Sequence, residues 1–144
     1  MRLYRIFLLL LIVCLAGCAT THYGNHAVVS KGINQTMAQD AANRLAALYP
    51  PAHTRFRLMQ PTKDAFGVSL VQRLRKKGYS VVESTSKGVG SEGLALRYVV
   101  DASSKHILHR VTLIISAQSL SHAYVLKNDV LHPVGVWVRQ ELVR

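Results

Sequence analysis

The sequence has few cysteines, few acidic side chains and no long apolar run. It contains two cysteines in 144 residues, so disulfides cannot replace a hydrophobic core. The longest continuous apolar segment, residues 6–16, has eleven residues, whereas a membrane-spanning helix needs about 20. These absences exclude a polytopic membrane protein and a small disulfide-stabilised domain, and the chain length favours one domain over two.

Acidic residues are scarce relative to basic ones, with seven Asp and Glu against 18 Lys and Arg. Residues 1–17 contain 14 hydrophobic residues, two arginines and no acidic residue. Without that segment, the remaining 127 residues still carry 16 basic side chains against seven acidic ones. A charge balance of this sign favours contact with an anionic surface or an acidic partner.

The N-terminus has the three parts of a secretory signal peptide. The basic residues Arg2 and Arg5 come first, an apolar stretch follows, and small residues end the segment. The tetrapeptide at 15–18, Leu-Ala-Gly-Cys, matches the bacterial lipobox, in which small residues fit the lipoprotein signal peptidase and the cysteine thiol receives a diacylglycerol. We therefore predict a cleaved signal peptide over residues 1–17 and lipidation of Cys18. The alternative is an ordinary secreted protein with an incidental cysteine.

The residue after the predicted anchor indicates where the protein is held. In Gram-negative cells an Asp at this position favours retention in the inner membrane, whereas here Ala19 follows Cys18. We therefore expect a lipid anchor at the periplasmic face of the outer membrane, where two or three acyl chains give stable attachment. Cys14 is removed with the signal peptide, so the mature chain can form no disulfide and must associate with partners non-covalently.

Composition and apolar spacing predict the organisation that follows the anchor. Small and polar residues predict a flexible tether over residues 18–32. Apolar residues at helical spacing then predict a helix to about residue 48, capped by Asn34 or Thr36. A second helix is predicted to about residue 77, capped by Thr62 or Asp64, with basic residues in its last turn.

Alternating apolar and polar residues predict six strands, with short turns between the last four. The predicted strands cover residues 54–59, 79–83, 94–101, 107–116, 120–127 and 134–139. Consecutive strands with short turns favour an antiparallel meander. The predicted fold class is α+β, a single periplasmic domain over residues 33–144 in which two helices pack on one face of a mainly antiparallel sheet.

A glycine-rich segment at residues 88–93 fits the pattern G-x-G-x-x-G of dinucleotide-binding loops. That site requires a helix directly after the loop, whereas residues 94–100 have the pattern of a strand. We interpret the segment as a flexible hairpin loop and predict no cofactor. His22 and His26 lie four residues apart, but a glycine and an asparagine between them disfavour the helix that would bring them together, so we predict no metal site.

Two further groupings of polar residues are also weak candidates for chemistry. His106 and His109 are three residues apart on a predicted strand, which places their side chains on opposite faces. Ser121 and His122 have Asp129 nearby in sequence, but the serine lacks the glycines of a nucleophile elbow and the aspartate lies in a predicted turn. We therefore predict no catalytic residues and expect that the protein is not an enzyme.

Six basic residues are expected to cluster, because the strand and the helix that carry them are adjacent in sequence. They are Arg55, Arg57, Arg73, Arg75, Lys76 and Lys77. Such a patch suits phospholipid or lipopolysaccharide phosphates, an acidic protein or nucleic acid, and the alternative is a solvated face beside an anionic membrane. Aromatic side chains that stack on bases are not interleaved with the patch, so we expect no direct binding of nucleic acid.

Several landmarks, taken in order, resemble the TrbH-type conjugal transfer lipoproteins, and the match runs from the signal peptide to the C-terminus. The landmarks are Leu15-Ala16-Gly17-Cys18, Leu48-Tyr49-Pro50-Pro51-Ala52, Phe66-Gly67, Leu74-Arg75, Gly78-Tyr79, Leu96-Arg97-Tyr98-Val99-Val100-Asp101, Ser121-His122-Ala123-Tyr124 and Pro133-Val134-Gly135-Val136-Trp137-Val138-Arg139-Gln140-Glu141. At His122 this sequence departs from the arginine that the resemblance leads us to expect, which weakens the case for a charge contact there.

The resemblance implies a structural or assembly component of a conjugative type IV secretion apparatus, in which mating-pair formation precedes plasmid transfer. It implies channel subunits as partners and no enzymatic activity. The segment from Trp137 to Arg139 is a candidate partner contact because both residue types are favoured at binding hot spots; the alternative for Trp137 is a place in the core. A different function is an envelope lipoprotein that regulates a peptidoglycan enzyme or mediates surface exclusion.

Overall fold

The computed structural model describes residues 22–83 and 92–142. The predicted signal peptide, Cys18 and most of the predicted loop at 84–93 lie outside the described residues. The described residues form two α-helices, a short 3₁₀ helix and a seven-stranded sheet. No helix among them is long and apolar enough to cross a membrane.

The elements follow one another along the chain with short connections. The helices are α1 (Lys31–Leu48) and α2 (Ala65–Lys76), and a 3₁₀ turn covers Pro51–His53. The strands are β1 (Gly24–Asn25), β2 (Arg55–Leu58), β3 (Ser80–Glu83), β4 (Leu94–Ala102), β5 (Leu108–Ile115), β6 (Gln118–Lys127) and β7 (Val130–Glu141). The six predicted strands and both predicted helices are therefore confirmed, with β6 and β7 longer than expected.

The helix caps explain where each helix begins. The side chain of Asp64 accepts a hydrogen bond of 2.8 Å from the backbone N–H of Gly67, so one of the two predicted caps of α2 is confirmed. For α1 the prediction is wrong. Ser30 caps this helix by accepting from Ile33 N, and the helix begins three residues before Asn34. Asn34 is instead buried and accepts a 2.8 Å hydrogen bond from the side chain of Asn25.

The predicted tether extends too far into the domain. Strand β1 pairs in parallel with β4, with Gly24 opposite Val99 and Asn25 opposite Val100. The backbone N–H of His26 donates to Val100 O at 2.7 Å, and Ala27 is buried in the core. Residues 22–32 therefore belong to the folded domain, because the backbone of β1 completes the sheet and the side chain of Ser30 caps α1.

The strand order is β3-β2-β4-β5-β6-β7, with β1 beside β4. Strands β4 to β7 form the predicted antiparallel meander. The sequence reading missed three parallel pairings, of β2 with β3, β2 with β4 and β1 with β4. Helix α2 connects β2 to β3, and a crossover of this kind returns the chain in the same direction.

The buried residue Gln60 completes the sheet between β2 and β1. Both strands lie along the same side of β4, which pairs with β2 through Leu94–Leu96 and with β1 through Val99–Val100. In the gap, the Gln60 side chain accepts from Tyr98 N at 3.0 Å and donates to Tyr98 O at 3.3 Å. The amide therefore replaces a strand residue in the ladder, which satisfies two buried backbone groups.

The helices cover one face of the sheet, as predicted. The core between them holds Met37, Leu45, Phe56, Phe66, Leu70, Leu74, Leu96, Tyr98, Leu113 and Tyr124. Side chains of the opposite parity point away from the helices, and we call this second surface of β4 to β7 the open face. Its rows are Arg97, Ile114, Ser119 and Gln140; Val99, Thr112, Ser121 and Val138; and Asp101, Arg110, Ala123 and Val134.

Helix α2 is held against β4 by a close approach that requires a glycine. The Tyr98 hydroxyl donates to Asp64 Oδ2 at 2.6 Å, next to the first turn of the helix. A Cβ atom on Gly67 would lie 2.0 Å from that hydroxyl. Gly67 therefore leaves the space that the Tyr98 hydroxyl occupies, and the Asp64 side chain accepts hydrogen bonds from both residues.

We predict that Gly67→Ala lowers the free energy of unfolding by about 3 kcal/mol, because the new methyl group displaces Tyr98 from Asp64. Gly32→Ala is the matched control, since it also lies in the first turn of a helix and its Cβ would meet only Ser30 Oγ at 4.0 Å. The measurement is urea denaturation, with circular dichroism as the signal of unfolding. Equal effects of the two substitutions would contradict the prediction.

Candidate functional site

Three landmark side chains from the sheet converge on one carboxylate of helix α1. The Oδ2 atom of Asp40 lies 2.6 Å from the Tyr124 hydroxyl, 2.9 Å from His122 Nδ1 and 3.1 Å from the Trp137 indole nitrogen. A carboxylate oxygen can only accept, so all three groups donate to it. We call Asp40, His122, Tyr124 and Trp137 the Asp40 cluster.

The two strands that carry the donors explain why the donors meet. His122 and Tyr124 are two residues apart on β6, so both point toward the helices. Trp137 lies on β7, where the pairing register shifts between Ser121 and Ala123. Three residues of β7 there oppose His122 alone, with Gly135 at a φ of 71°. Trp137 is next to Val138, which pairs with Ser121 on the open face, so strand alternation places the indole on the helical side, where it reaches Asp40.

The donors of the Asp40 cluster are buried or half-buried and packed against one another. The imidazole of His122 is 7% exposed and lies between two aromatic rings, with centroid distances of 4.8 Å to Tyr124 and 5.0 Å to Trp137. Burial, reinforced by the hydrogen bond to Asp40, raises the pKa of the Tyr124 phenol well above its ordinary value of 10.0. The phenol therefore stays protonated and remains a donor at neutral pH.

The structure separates Ser121, His122 and Asp129, which the sequence offered as a weak catalytic grouping. His122 has Asp40 as its carboxylate partner rather than Asp129, which lies in the β6–β7 turn. Ser121 is on the open face, opposite Thr112 and Val138, so its hydroxyl and the His122 ring point to different sides of the sheet. Position 122, where the resemblance leads us to expect an arginine, carries a histidine whose Nδ1 atom lies 2.9 Å from the Asp40 carboxylate.

The expected geometry of His106 and His109 is also wrong. His106 lies in the β4–β5 turn with a φ of 53°, not on a strand. His109 is fully buried, and its Nε2 atom lies 3.0 Å from the backbone oxygen of His106. Among residues 22–83 and 92–142, no group of three potential ligands could hold a metal ion.

The two residues of the predicted partner contact occupy different environments. Trp137 is half-buried against the core and bonds to Asp40, so the fold itself uses its indole N–H. Arg139 is exposed and lines a groove at the end of the sheet, together with apolar side chains from α1, β4 and β5. Partner contact by this segment stays a prediction, and Arg139 is the residue of the pair whose charged group faces solvent.

The six predicted basic residues do not all come together. Arg73, Lys76 and Lys77 line one shallow depression beside Gln39 on the helical side. Arg55 and Arg57 alternate with Phe56 and Leu58, whose side chains enter the core, and therefore point to the other side of the sheet. Arg75 contacts the edge strand β3, where it donates to Glu83 Oε1 at 3.0 Å and to Val81 O.

The sequence analysis did not identify Asp40, the acceptor at the centre of the cluster. Asp40 is directly beside the predicted apolar stripe of α1, which includes Met37 and Ala41. An acidic side chain at the border of a buried helical stripe is a usable signal, since it needs donors from the surface on which the helix packs. The three donors were recognised as landmarks, but their partner was not.

We predict that Asp40→Ala lowers the free energy of unfolding by about 2 kcal/mol, because three donors from two strands lose their acceptor. Asn43→Ala on the same helix is the control, since its side chain accepts only from Gln39 on the exposed surface. Both changes raise helix propensity, so the difference between them isolates the cluster. Equal stabilities in urea denaturation would show that the cluster contributes nothing.

We also predict a loss of stability at alkaline pH. Burial raises the pKa of Tyr98 and Tyr124 above the value of the unfolded chain. Above about pH 10 the unfolded chain releases protons that the folded chain keeps, so stability falls with rising pH by about 1.4 kcal/mol per unit for each tyrosine. Tyr124→Phe should reduce this slope in denaturation curves between pH 8 and pH 11, whereas Tyr23→Phe, which removes an exposed phenol, should not.

A comparison with known protein families identifies the family of this chain. A family model described as conjugal transfer protein TrbH matches residues 19–141. The matched segment begins one residue after Cys18 and includes all the helices and strands described above. No curated protein and no solved structure matches the chain.

Proposed function

This chain belongs to the TrbH family of conjugal transfer proteins, and from that premise we propose that it is an outer-membrane lipoprotein with a structural or assembly role in a conjugative type IV secretion apparatus. The family membership confirms the resemblance seen in the sequence. The proposal adds three things to it: lipidation at Cys18, a place at the periplasmic face of the outer membrane, and non-covalent contact with channel subunits.

The observation that carries the proposal is the position of the matched segment. The family match starts at residue 19, directly after the lipobox at 15–18. A cleaved signal peptide and a lipidated Cys18 would therefore leave the whole matched segment in the mature protein. Both helices and the whole sheet would then be held at the membrane through one N-terminal attachment.

The described polar network supports a structural role rather than catalysis. Asp40 and Asp64 each accept a 2.6 Å hydrogen bond from a buried tyrosine of the sheet. Asp64 also caps α2, and Asp40 receives two further donors. These carboxylates hold the helices on the sheet, and a group with that task is poorly placed to exchange protons with a substrate.

Replacing the predicted lipid-bearing residue tests the proposal directly. We predict that Cys18→Ser in the full-length protein abolishes incorporation of labelled palmitate, removes the protein from the outer-membrane fraction and lowers plasmid transfer from donor cells. Cys14→Ala is the control, since this residue lies in the segment that the signal peptidase would remove. It should leave labelling, fractionation and transfer unchanged.

The outcome of the mating assay separates the proposal from its alternative. Normal transfer by a donor that carries only the unlipidated protein would contradict the role of the anchor. Deletion of the gene should abolish donor ability. A deletion that instead changes how the cell behaves as a recipient would favour surface exclusion over a part in the channel.

A further inference from the structure

The folded domain begins close to the predicted lipid anchor. Residues 22–32 belong to the fold, so only Ala19, Thr20 and Thr21 separate Cys18 from His22, the first residue that the structure describes. The four steps along the chain from Cys18 to His22 span at most about 14 Å when fully extended. A domain of this size has a radius of gyration of about 13 Å. The attachment is therefore too short for the domain to turn either surface freely toward the membrane.

The chain enters the domain next to the open face. Strand β1 lies beside β4, and the ring of Tyr23, just before it, packs against Arg97 with the guanidinium carbon 5.3 Å from the ring centroid. Arg97 belongs to the open face, in the same row as Ile114. Helices α1 and α2 lie on the opposite side of the sheet. The short connection therefore leads from the anchor to the open-face side of the domain.

We propose that the open face lies against the headgroups of the membrane that carries the acyl chains of Cys18, and that it contacts anionic phospholipid. This inference rests on the lipidation in the proposed function. It adds the orientation of the domain, the surface that contacts lipid and the kind of lipid that this surface fits.

The chemistry of the open face fits an anionic headgroup layer. Most of its side chains are small or β-branched, and its charged residues are Arg97, Arg110 and Asp101. Asp101 lies 3.0 Å from Arg110. Strand β2 adds Arg55 and Arg57 on the same side of the sheet, where Glu92 lies 3.0 Å from Arg55. Arg97 packs on Tyr23, and an arginine beside an aromatic ring suits a membrane interface, where the ring is half-solvated and the guanidinium reaches phosphate.

The competing surface is the basic depression on the helical side, formed by Arg73, Lys76 and Lys77. Its lining has three basic side chains and no carboxylate, but it lies on the layer opposite the open face. The length of the connection favours the open face. To place the helical side on the lipid, the connection would have to pass around the domain, and about 14 Å is too short for that. The two surfaces can be distinguished, since each carries an exposed position suitable for a label.

The orientation can be measured on the full-length lipidated protein in vesicles of phosphatidylethanolamine and phosphatidylglycerol. Cys18 is occupied by lipid, so a single introduced cysteine can be labelled with a fluorophore. Val138→Cys places the label on the open face, where the native side chain is 47% exposed. Gln72→Cys places it on the outer surface of α2. A spin-labelled lipid in the headgroup region then quenches whichever label lies near the bilayer.

We expect quenching at position 138 to exceed that at position 72 several-fold. Arg97→Gln should reduce the quenching at position 138, whereas Lys76→Gln should leave it unchanged, and vesicles of phosphatidylcholine alone should give weaker quenching. Stronger quenching at position 72 would overturn the proposal in favour of the helical side. Equal quenching at both positions, strong or weak, would also overturn it, because the domain would then have no fixed orientation.

A flotation assay separates failure of this inference from failure of the anchor. Protein that floats with vesicles but is quenched at position 72 contradicts the orientation alone. The Cys18→Ser variant is the control and should not float. If the protein with Cys18 also fails to float, the lipidation is contradicted, and the proposed orientation is contradicted with it.

Discussion

The hydrogen bonds to the Asp40 carboxylate are the constraint on which the rest of the structure depends. One oxygen of a helix side chain receives donors from β6 and β7, the last two strands of the sheet. Buried donors without an acceptor are costly, so helix and hairpin can dock in only one register. A bulge lies beside these contacts, since three residues of β7 oppose His122 alone.

The second helix is attached by the same kind of contact, and most of the acidic residues have partners within the fold. Asp64 receives Tyr98 as Asp40 receives Tyr124, each at 2.6 Å. Glu83, Glu92 and Asp101 pair with arginines, so five of the seven acidic residues have partners within the described chain. Most basic side chains are left on the surface as net positive charge, which the proposed position beside anionic lipid would balance.

The family landmarks mainly specify how the chain folds. Gly67 admits Tyr98, the Tyr49 carbonyl accepts from Tyr79, and Trp137 completes the Asp40 cluster. Landmark residues that make contacts inside the fold identify the family, but they do not identify the protein that binds to its surface. Surfaces available for recognition include the edge strand β7, the groove beside Arg139, the basic depression on the helical side and the open face.

The sequence by itself determined the fold class, most elements and the family, because each rests on local information. Apolar spacing places helices and strands, Asp64 marks a cap, and the lipobox is a contiguous motif that predicts an anchor. Only the tertiary structure decided which distant residues meet. Asp40 lies more than 80 positions from its donors, Gln60 fills a gap between strands, and β1 joins the sheet by parallel pairing. Such contacts depend on how layers pack, and spacing along the chain does not encode them.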